Sequence, residues 1–259
     1  MIKLIISDID GTLLQGAALE IDPAVFTQIE RLRQKGIYFC PASGRQYASL
    51  RKLFAPIADD ICYICENGSI VYGAGDPGAV LRKSVLPAAL VQELCADIMA
   101  LDGVEIVISG GNTSYLCPKE KDLSRRLETF LGNRVAVLAS PADVPEDIIK
   151  VCLFSHEGIT PAVLAIRERW ADSFDAVVSG KQWVDFTRSD KAQGVQQICA
   201  HYGTNPAQVL AVGDNYNDVG MLQLVGHPYL MENAAPALKE QLNIPNCAKV
   251  SELLASIAP

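Results

Sequence analysis

The chain has 259 residues, room for one or two domains at about 150 residues each, and 49% of them are hydrophobic, which excludes a disordered chain. It carries 22 basic against 30 acidic residues, a net charge of -8, so no basic surface for nucleic-acid phosphates is expected. No apolar run exceeds five residues, far short of the roughly 20 that a membrane helix needs, and the opening MIKLIISDID has no cleavable small-residue site, so the expected location is the cytoplasm.

The first segment, KLIISDID, reads as a buried strand ending in acids. Asp22 looks like an N-cap, Pro23 the first helical residue and Gly36 the stop, with Val25, Ile29 and Leu32 at helical spacing between them. IYFCPAS reads as a second strand and Gly44 to Phe54 as a second helix. A third strand, ICYICE, runs into Asn67-Gly68, a strong hairpin-turn signal, and SIVY returns. Strand, helix, strand, helix, strand is the rhythm of a parallel sheet with right-handed crossovers.

The rhythm changes after the Gly/Pro-rich stretch GAGDPGA. From Pro87 to about Phe186 the pattern is helix, strand, strand, three times. The helices fall at about 87–101, 119–131 and 160–171. The strand pairs are 104–108 with 113–117, 134–138 with 148–155, and 174–179 with 182–186. Short turns such as GGN and SGK predict an antiparallel sheet covered by helices on one face. The βα rhythm resumes at Asp190, with a helix over 191–202, the strand VLAV, a helix from near Tyr216, the strand HPYLM, a helix over 234–242 and a short C-terminal helix. The expected fold is α/β: a Rossmann-like parallel-sheet core of residues 1–83 and 187–259 with helices on both faces, interrupted by an inserted α+β domain of residues 84–186.

Eight cysteines are scattered through the chain. Cys62-x-x-Cys65 lies in the apolar run ICYIC, without a second pair or a nearby His to make a zinc site, so both are expected to be thiols packed in a buried strand.

Four acids draw attention. Asp8 and Asp10, and again Asp214 and Asp218, follow predicted buried strands, and in open α/β sheets ligands sit beyond the carboxyl ends of strands. In extended chain Asp8 and Asp10 point the same way. Gly11 and Thr12 allow a turn and offer N–H groups to an anion. In GDNYND, Asp218 is four residues after Asp214, on the same side of an opening helical turn. Any one of these acids alone reads as a cap or turn residue. If the two strands are neighbours, the carboxylates converge, and each close like-charge pair costs on the order of 4 kcal/mol at an effective dielectric near 20. Such a cluster calls for a cation or for protons, and all-oxygen ligands favour Mg²⁺.

Ser43 follows an apolar strand and begins a predicted helix, so its hydroxyl and adjacent N–H groups could hold an anion. Lys191 opens the helix KAQGVQQICAHY, where a cation opposes the macrodipole and a nearby anion would resolve the misfit. Arg45 could touch a phosphate or lie on a solvated helix face. Asn67 reads as a turn residue, Trp170 as core, and Trp183 as core or as part of the substrate wall. His156, His201 and His227 are dispersed, and no dinucleotide-binding fingerprint occurs.

These residues resemble a family. Asp8-Ile9-Asp10-Gly11-Thr12-Leu13 is similar to the first motif of haloacid dehalogenase (HAD)-type phosphatases, Ser43 before Gly44-Arg45 to the second, Lys191 to the third, and Gly213-Asp214-x-x-Asn217-Asp218 to the fourth. The insert resembles the C2B cap of the Cof-type subgroup. Arg188-Ser189-Asp190-Lys191-Ala192 departs from the family's Gly-x-x-Lys-Gly but keeps the lysine. The resemblance implies phosphoryl transfer through an aspartyl-phosphate, with Asp8 as nucleophile and Asp10 as acid and base. It implies Asp8, the Asp10 carbonyl and Asp214 on Mg²⁺, Asp218 behind them, and Thr12, Ser43, Lys191 and Asn217 on the phosphoryl group. The expected partner is a small phosphorylated metabolite, foremost a sugar phosphate; nothing points to an obligate protein partner. A phosphomutase, or a non-catalytic phosphometabolite-binding regulator, is the alternative.

Overall fold

The computed structural model describes residues 1–117, 127 and 132–257. The expected helix at 119–131 lies outside the described residues apart from Leu127.

Strand β1 (Leu4–Ser7) is buried along its whole length. Its side chains alternate between two cores, as a central strand with both faces covered requires: Ile5 packs into one, Leu4 and Ile6 into the other. Helix α1 (Pro23–Gln34) starts as the sequence predicts, with the Asp22 carboxylate accepting from the Ala24 N–H at 2.9 Å. It buries Val25, Ile29 and Leu32, each contributing about 1.5–3 kcal/mol. Strand β2 (Tyr38–Pro41) follows, then α2 (Tyr47–Leu53). The second helix therefore starts three residues later than its sequence suggests. Gln46 is extended, and Gly44-Arg45-Gln46 stay outside the helix, where they form the rim of the site.

Strand β3 (Tyr63–Cys65) is not a regular member of the parallel sheet. It forms an antiparallel three-stranded sheet with β4 (Ile70–Gly75) and β5 (Gly78–Lys83), joined to the end of β2 by a single bridge between Ala42 and Ile64. Strand β5 starts at the end of the Gly/Pro-rich stretch, where the sequence suggests only a boundary. The Asn67-Gly68 turn joins β3 to β4 as expected.

The insert begins with α3 (Ala88–Met99), β6 (Val104–Ser109), β7 (Ser114–Leu116), β8 (Val135–Val137) and β9 (Lys150–Ser155). It ends with α4 (Pro161–Trp170), β10 (Asp175–Val178) and β11 (Trp183–Thr187). Its six strands run in the order β10-β11-β9-β6-β7-β8. One expected pairing is corrected: β8 does not pair with β9 but lies parallel to β7, at the edge. Strand β9 is buried over all six residues and so sits between two long partners, β6 and β11; the half-exposed three-residue β8 suits an edge. Val104, Ile106, Ile108, Val151, Leu153, Val184 and Phe186 face α3 and α4. The other face of this sheet carries Val107, Cys152, Lys150 and Asp185 and is turned toward the core sheet, where these four residues share a cavity with Asp8 and Ser43.

The chain then returns with α5 (Lys191–Tyr202), β12 (Val209–Gly213), α6 (Val219–Leu224), β13 (His227–Met231), α7 (Pro236–Leu242), β14 (Asn246–Cys247) and α8 (Val250–Ile257). The core sheet is all parallel, in the order β14-β13-β12-β1-β2. Helices α1 and α8 cover one face, α5 and α6 the other. Cys62 and Cys65 are both buried free thiols, as expected. No helix among the described residues is long and apolar enough to cross a membrane.

Candidate active site

Strand register creates the site. β1 and β12 are parallel neighbours with Ser7 opposite Val212, and the Asp8 N–H donates to the Val212 carbonyl at 2.9 Å. Both strands therefore end level, and Asp8 and Asp214 leave the same edge of the sheet. Asp8, Asp214 and Asp218 each present a carboxylate oxygen within 4.8 Å of the others. The Lys191 ammonium lies among them, fully buried, with Nζ donating to Asp8 Oδ1 and to Asp218 Oδ1, each at 2.6 Å. The cation that opposes the α5 dipole thus has two anions to hold it there.

The second oxygen of Asp218 accepts the backbone N–H groups of Asp214 and Asn215 at 3.0 and 3.1 Å. Both Asp218 oxygens are thus engaged, and the residue acts as a brace for the loop. Asp8 and Asp214 keep oxygens for a ligand. Three carboxylates against one ammonium leave two negative charges uncompensated in this cluster. Burial, with the Asp218 charge adding to it, pushes the Asp8 carboxyl well above the usual carboxylate range and that of Asp214 up to about 6. A set of hard oxygen donors with excess negative charge fits a divalent cation such as Mg²⁺.

The backbone turns directly after Asp8 instead of continuing extended. Thr12 and Leu14 N–H groups return to the Ile9 carbonyl at 3.2 and 2.8 Å. Gly11, at φ +91°, makes this turn against the Asp214 carboxylate, and a Cβ there would collide with it. As a result Asp10 does not join the cluster through its side chain. Its carboxylate is half exposed and held by Arg45 in a fork, Nε to Oδ2 at 2.8 Å and Nη2 to Oδ1 at 2.6 Å. Arg45 therefore holds a carboxylate instead of lying on a solvated helix face.

Thr12 is buried and donates to Asp214 Oδ1 at 3.3 Å. Ser43 is buried in the loop before α2, where its hydroxyl accepts from the Arg45 N–H at 3.2 Å. Asn217 donates to Asn67 Oδ1 at 3.2 Å. Asp8, Asp10, Ser43 and Asn217 line one cavity of about 200 Å³ roofed by the insert, with Trp183 in its wall. Trp170 is remote from it, packed in the insert with its indole N–H on Asp97 at 2.9 Å.

The roof holds residues that sequence reasoning missed. Asn67 is more than a turn residue: its amide donates to Asp185 Oδ2 at 2.8 Å, tying the core to the insert. Lys150 on β9 forms a buried ion pair with Glu66 and donates to the Gly44 carbonyl at 3.0 Å. Glu66, Asn67 and Gly68 all have positive φ, and a Cβ on Gly68 would run into the Asp190 carbonyl. The available signal was a lone charge in an otherwise apolar strand, Lys150 in KVCLFS and Asp185 in WVDFT.

Comparison with known proteins places the chain in a family. A family model described as haloacid dehalogenase-like hydrolase matches residues 5–245. The 5-amino-6-(5-phospho-D-ribitylamino)uracil phosphatase YbjI of Escherichia coli (strain K12) is 28% identical over 92% of this chain and 88% of its own. The HMP-PP phosphatase of Serratia proteamaculans (strain 568) is 27% identical over 93% and 88%. A crystal structure from Eubacterium rectale is 28% identical, covers 99% of both chains and superposes with a TM-score of 0.83. With a family match across almost its whole length and phosphatases for relatives, the chain belongs to the haloacid dehalogenase-like hydrolases, as a phosphoric monoester hydrolase of the Cof-type branch.

Proposed function

We propose that this phosphatase is Mg²⁺-dependent and hydrolyses a small phosphorylated metabolite, foremost a sugar phosphate, through a covalent phosphoryl group on Asp8. Residues 84–186 act as a cap over a catalytic core formed by 1–83 and 187–259. The observation that carries the reading is the buried Lys191 shared by Asp8 and Asp218, with Asp214 alongside and Asp10 at the mouth of the same cavity.

Asp8, the Asp10 carbonyl and Asp214 hold the Mg²⁺, which when bound neutralises charge on the phosphoryl oxygens. Lys191 opposes the burial that raises the Asp8 carboxyl, favouring its ionised form. An Asp8 oxygen attacks phosphorus while the ester oxygen departs with a proton from Asp10. Asp10 then takes a proton from water, which attacks the same phosphorus and releases inorganic phosphate, restoring the Asp8 carboxylate. Arg45 is the positioning residue for Asp10, since its fork fixes both carboxylate oxygens. Ser43, Thr12, Asn217 and Lys191 stabilise the transferring group. The cap excludes water and selects the alcohol.

The test is a screen of phosphorylated metabolites for inorganic phosphate release, with and without EDTA, beside the Asp8→Asn chain. Release that stops with EDTA and returns with Mg²⁺, and that the variant lacks, supports the reading. Metal-independent release, or full activity in the variant, contradicts it.

A further inference from the structure

We infer that Asn112, in the insert, is a positioning residue for Asp10: it supplies the cap that helix α2 lacks and so holds Arg45 in its fork on the Asp10 carboxylate. The inference rests on the phosphatase reading, in which Asp10 is acid and base. It gives the insert a part in that chemistry besides covering the site.

Arg45 belongs to a segment that does not hold itself. Helix α2 begins at Tyr47, and Gln46 before it makes no side-chain bond to the helix. The first N–H groups of a helix have no partner within it, and without a capping side chain they stay open. The insert closes this gap. Asn112, in the turn between β6 and β7, accepts the Ala48 N–H through Oδ1 at 2.9 Å. The buried Gln46 side chain reaches the insert instead of its own helix. Its Oε1 accepts the Arg134 N–H at 2.7 Å, and its Nε2 donates to Ser114 Oγ at 3.3 Å. On the other side of Arg45, Lys150 of β9 donates to the Gly44 carbonyl at 3.0 Å. Gly44, Gln46 and Ala48 are thus each fastened to the insert, and Arg45 stands among them.

The guanidinium leans on the same turn. Besides its two bonds to Asp10, Arg45 donates through Nη1 to Ser49 Oγ at 3.4 Å, next to the capped Ala48. The turn that carries Asn112 is itself braced. Glu146 accepts the Gly111 N–H and the Tyr115 hydroxyl, and the Tyr72 hydroxyl of the core donates to the Gly111 carbonyl, all at 2.8 Å. Contacts therefore run unbroken from the insert through the first turn of α2 to Arg45 and Asp10. Without the Asn112 side chain that turn loses its anchor and the fork shifts. A misplacement of about 1 Å can cost on the order of 10²-fold in rate, and proton transfer by Asp10 is the step that would bear it.

The test compares Asn112→Ala, which removes the acceptor, with Asn112→Asp, which keeps it; the residue is half-buried in a turn, so both chains should fold. Hydrogen exchange at the Ala48 amide and the Arg45 Nε–H, read by NMR without ligand, should be about fivefold faster or more in Asn112→Ala and return to near the original rate in Asn112→Asp. The second measurement is kcat/KM, which covers the steps up to phosphoryl transfer, for glucose 6-phosphate and for p-nitrophenyl phosphate. The alkoxide needs a proton to leave, whereas p-nitrophenolate departs without one. Asn112→Ala should lower kcat/KM about tenfold for the sugar ester and threefold or less for the aryl ester, with Asn112→Asp restoring the first. A general loss of structure would lower both alike. Equal falls for the two esters, unchanged exchange at Arg45 Nε–H in Asn112→Ala, or no recovery in Asn112→Asp overturns the inference. Should the unsubstituted chain release phosphate from neither ester, the exchange rates decide alone, so a failure of the phosphatase reading stays separate.

Discussion

Replacing Lys191 by Met tests the electrostatic core of the site. The side chain is fully buried and its Nζ holds Asp8 and Asp218 at 2.6 Å each. Met fills a similar volume but leaves both carboxylates without their cation, with Asp214 close by. Removing one partner of a buried ion pair costs about 3–5 kcal/mol. In a chain of this size each kcal/mol moves the melting temperature by roughly 2–4 °C, so a fall of about 6–20 °C is expected by calorimetry in EDTA at pH 7.5. The pH dependence has a definite sign. Burial raises the folded-state carboxyls of Asp8 and Asp214, the latter to about 6, and without Lys191, which lowers both, they rise further. A carboxyl whose folded value is raised binds its proton more tightly when folded. Its cost is absent at low pH and grows as pH rises from the ordinary carboxylate value to the folded one. The deficit of Lys191→Met should therefore be smaller at pH 5 than at pH 7.5. A loss under about 1 kcal/mol, or an equal loss at both pH values, would refute the claim that Lys191 neutralises this cluster.

Other expectations follow the same contacts. Mg²⁺ should raise the melting temperature more at pH 7.5 than at pH 5, because Asp214 must shed a proton near pH 6 before it can bind metal; a pH-independent shift contradicts this. Asp8→Asn should lower phosphate release on the order of 10⁴-fold or more while circular dichroism stays unchanged. Arg45→Ala should lower kcat by about tenfold or more with little change in stability, since it frees the half-exposed Asp10 and removes one long hydrogen bond to the Ser49 hydroxyl; an unchanged kcat would remove Arg45 from the account. Gly68→Ala should destabilise by roughly 1–3 kcal/mol in urea unfolding, because the residue has φ +89° and faces the Asp190 carbonyl.

The core was legible in the sequence because its signals are local. Asp8 and Asp214 each end an apolar strand, and once the two strands are neighbours in register the acids must meet. Lys191 at a helix start was a visible electrostatic misfit whose resolution, two carboxylates, is what the fold provides. The fork between Arg45 and Asp10 was not legible, because it depends on the chain turning at Ile9 and on the second helix starting at Tyr47. Nor was the roof: Glu66, Lys150 and Asp185 belong to three distant strands or turns, and only the pairing of β9 with β6 and β11 brings them over the cavity. Strand order within the insert is set by which strands are long and buried enough to be central, a property that periodicity does not rank.

The account stands on Asp8 carrying the phosphoryl group during turnover. Acid quench of the chain reacting with a ³²P-labelled substrate in Mg²⁺, followed by borohydride reduction and peptide mass analysis, reads this directly. Label on the protein and conversion of residue 8 to homoserine are expected, with neither in Asp8→Asn. Hydrolysis with no labelled protein, or label on any other residue, would contradict it.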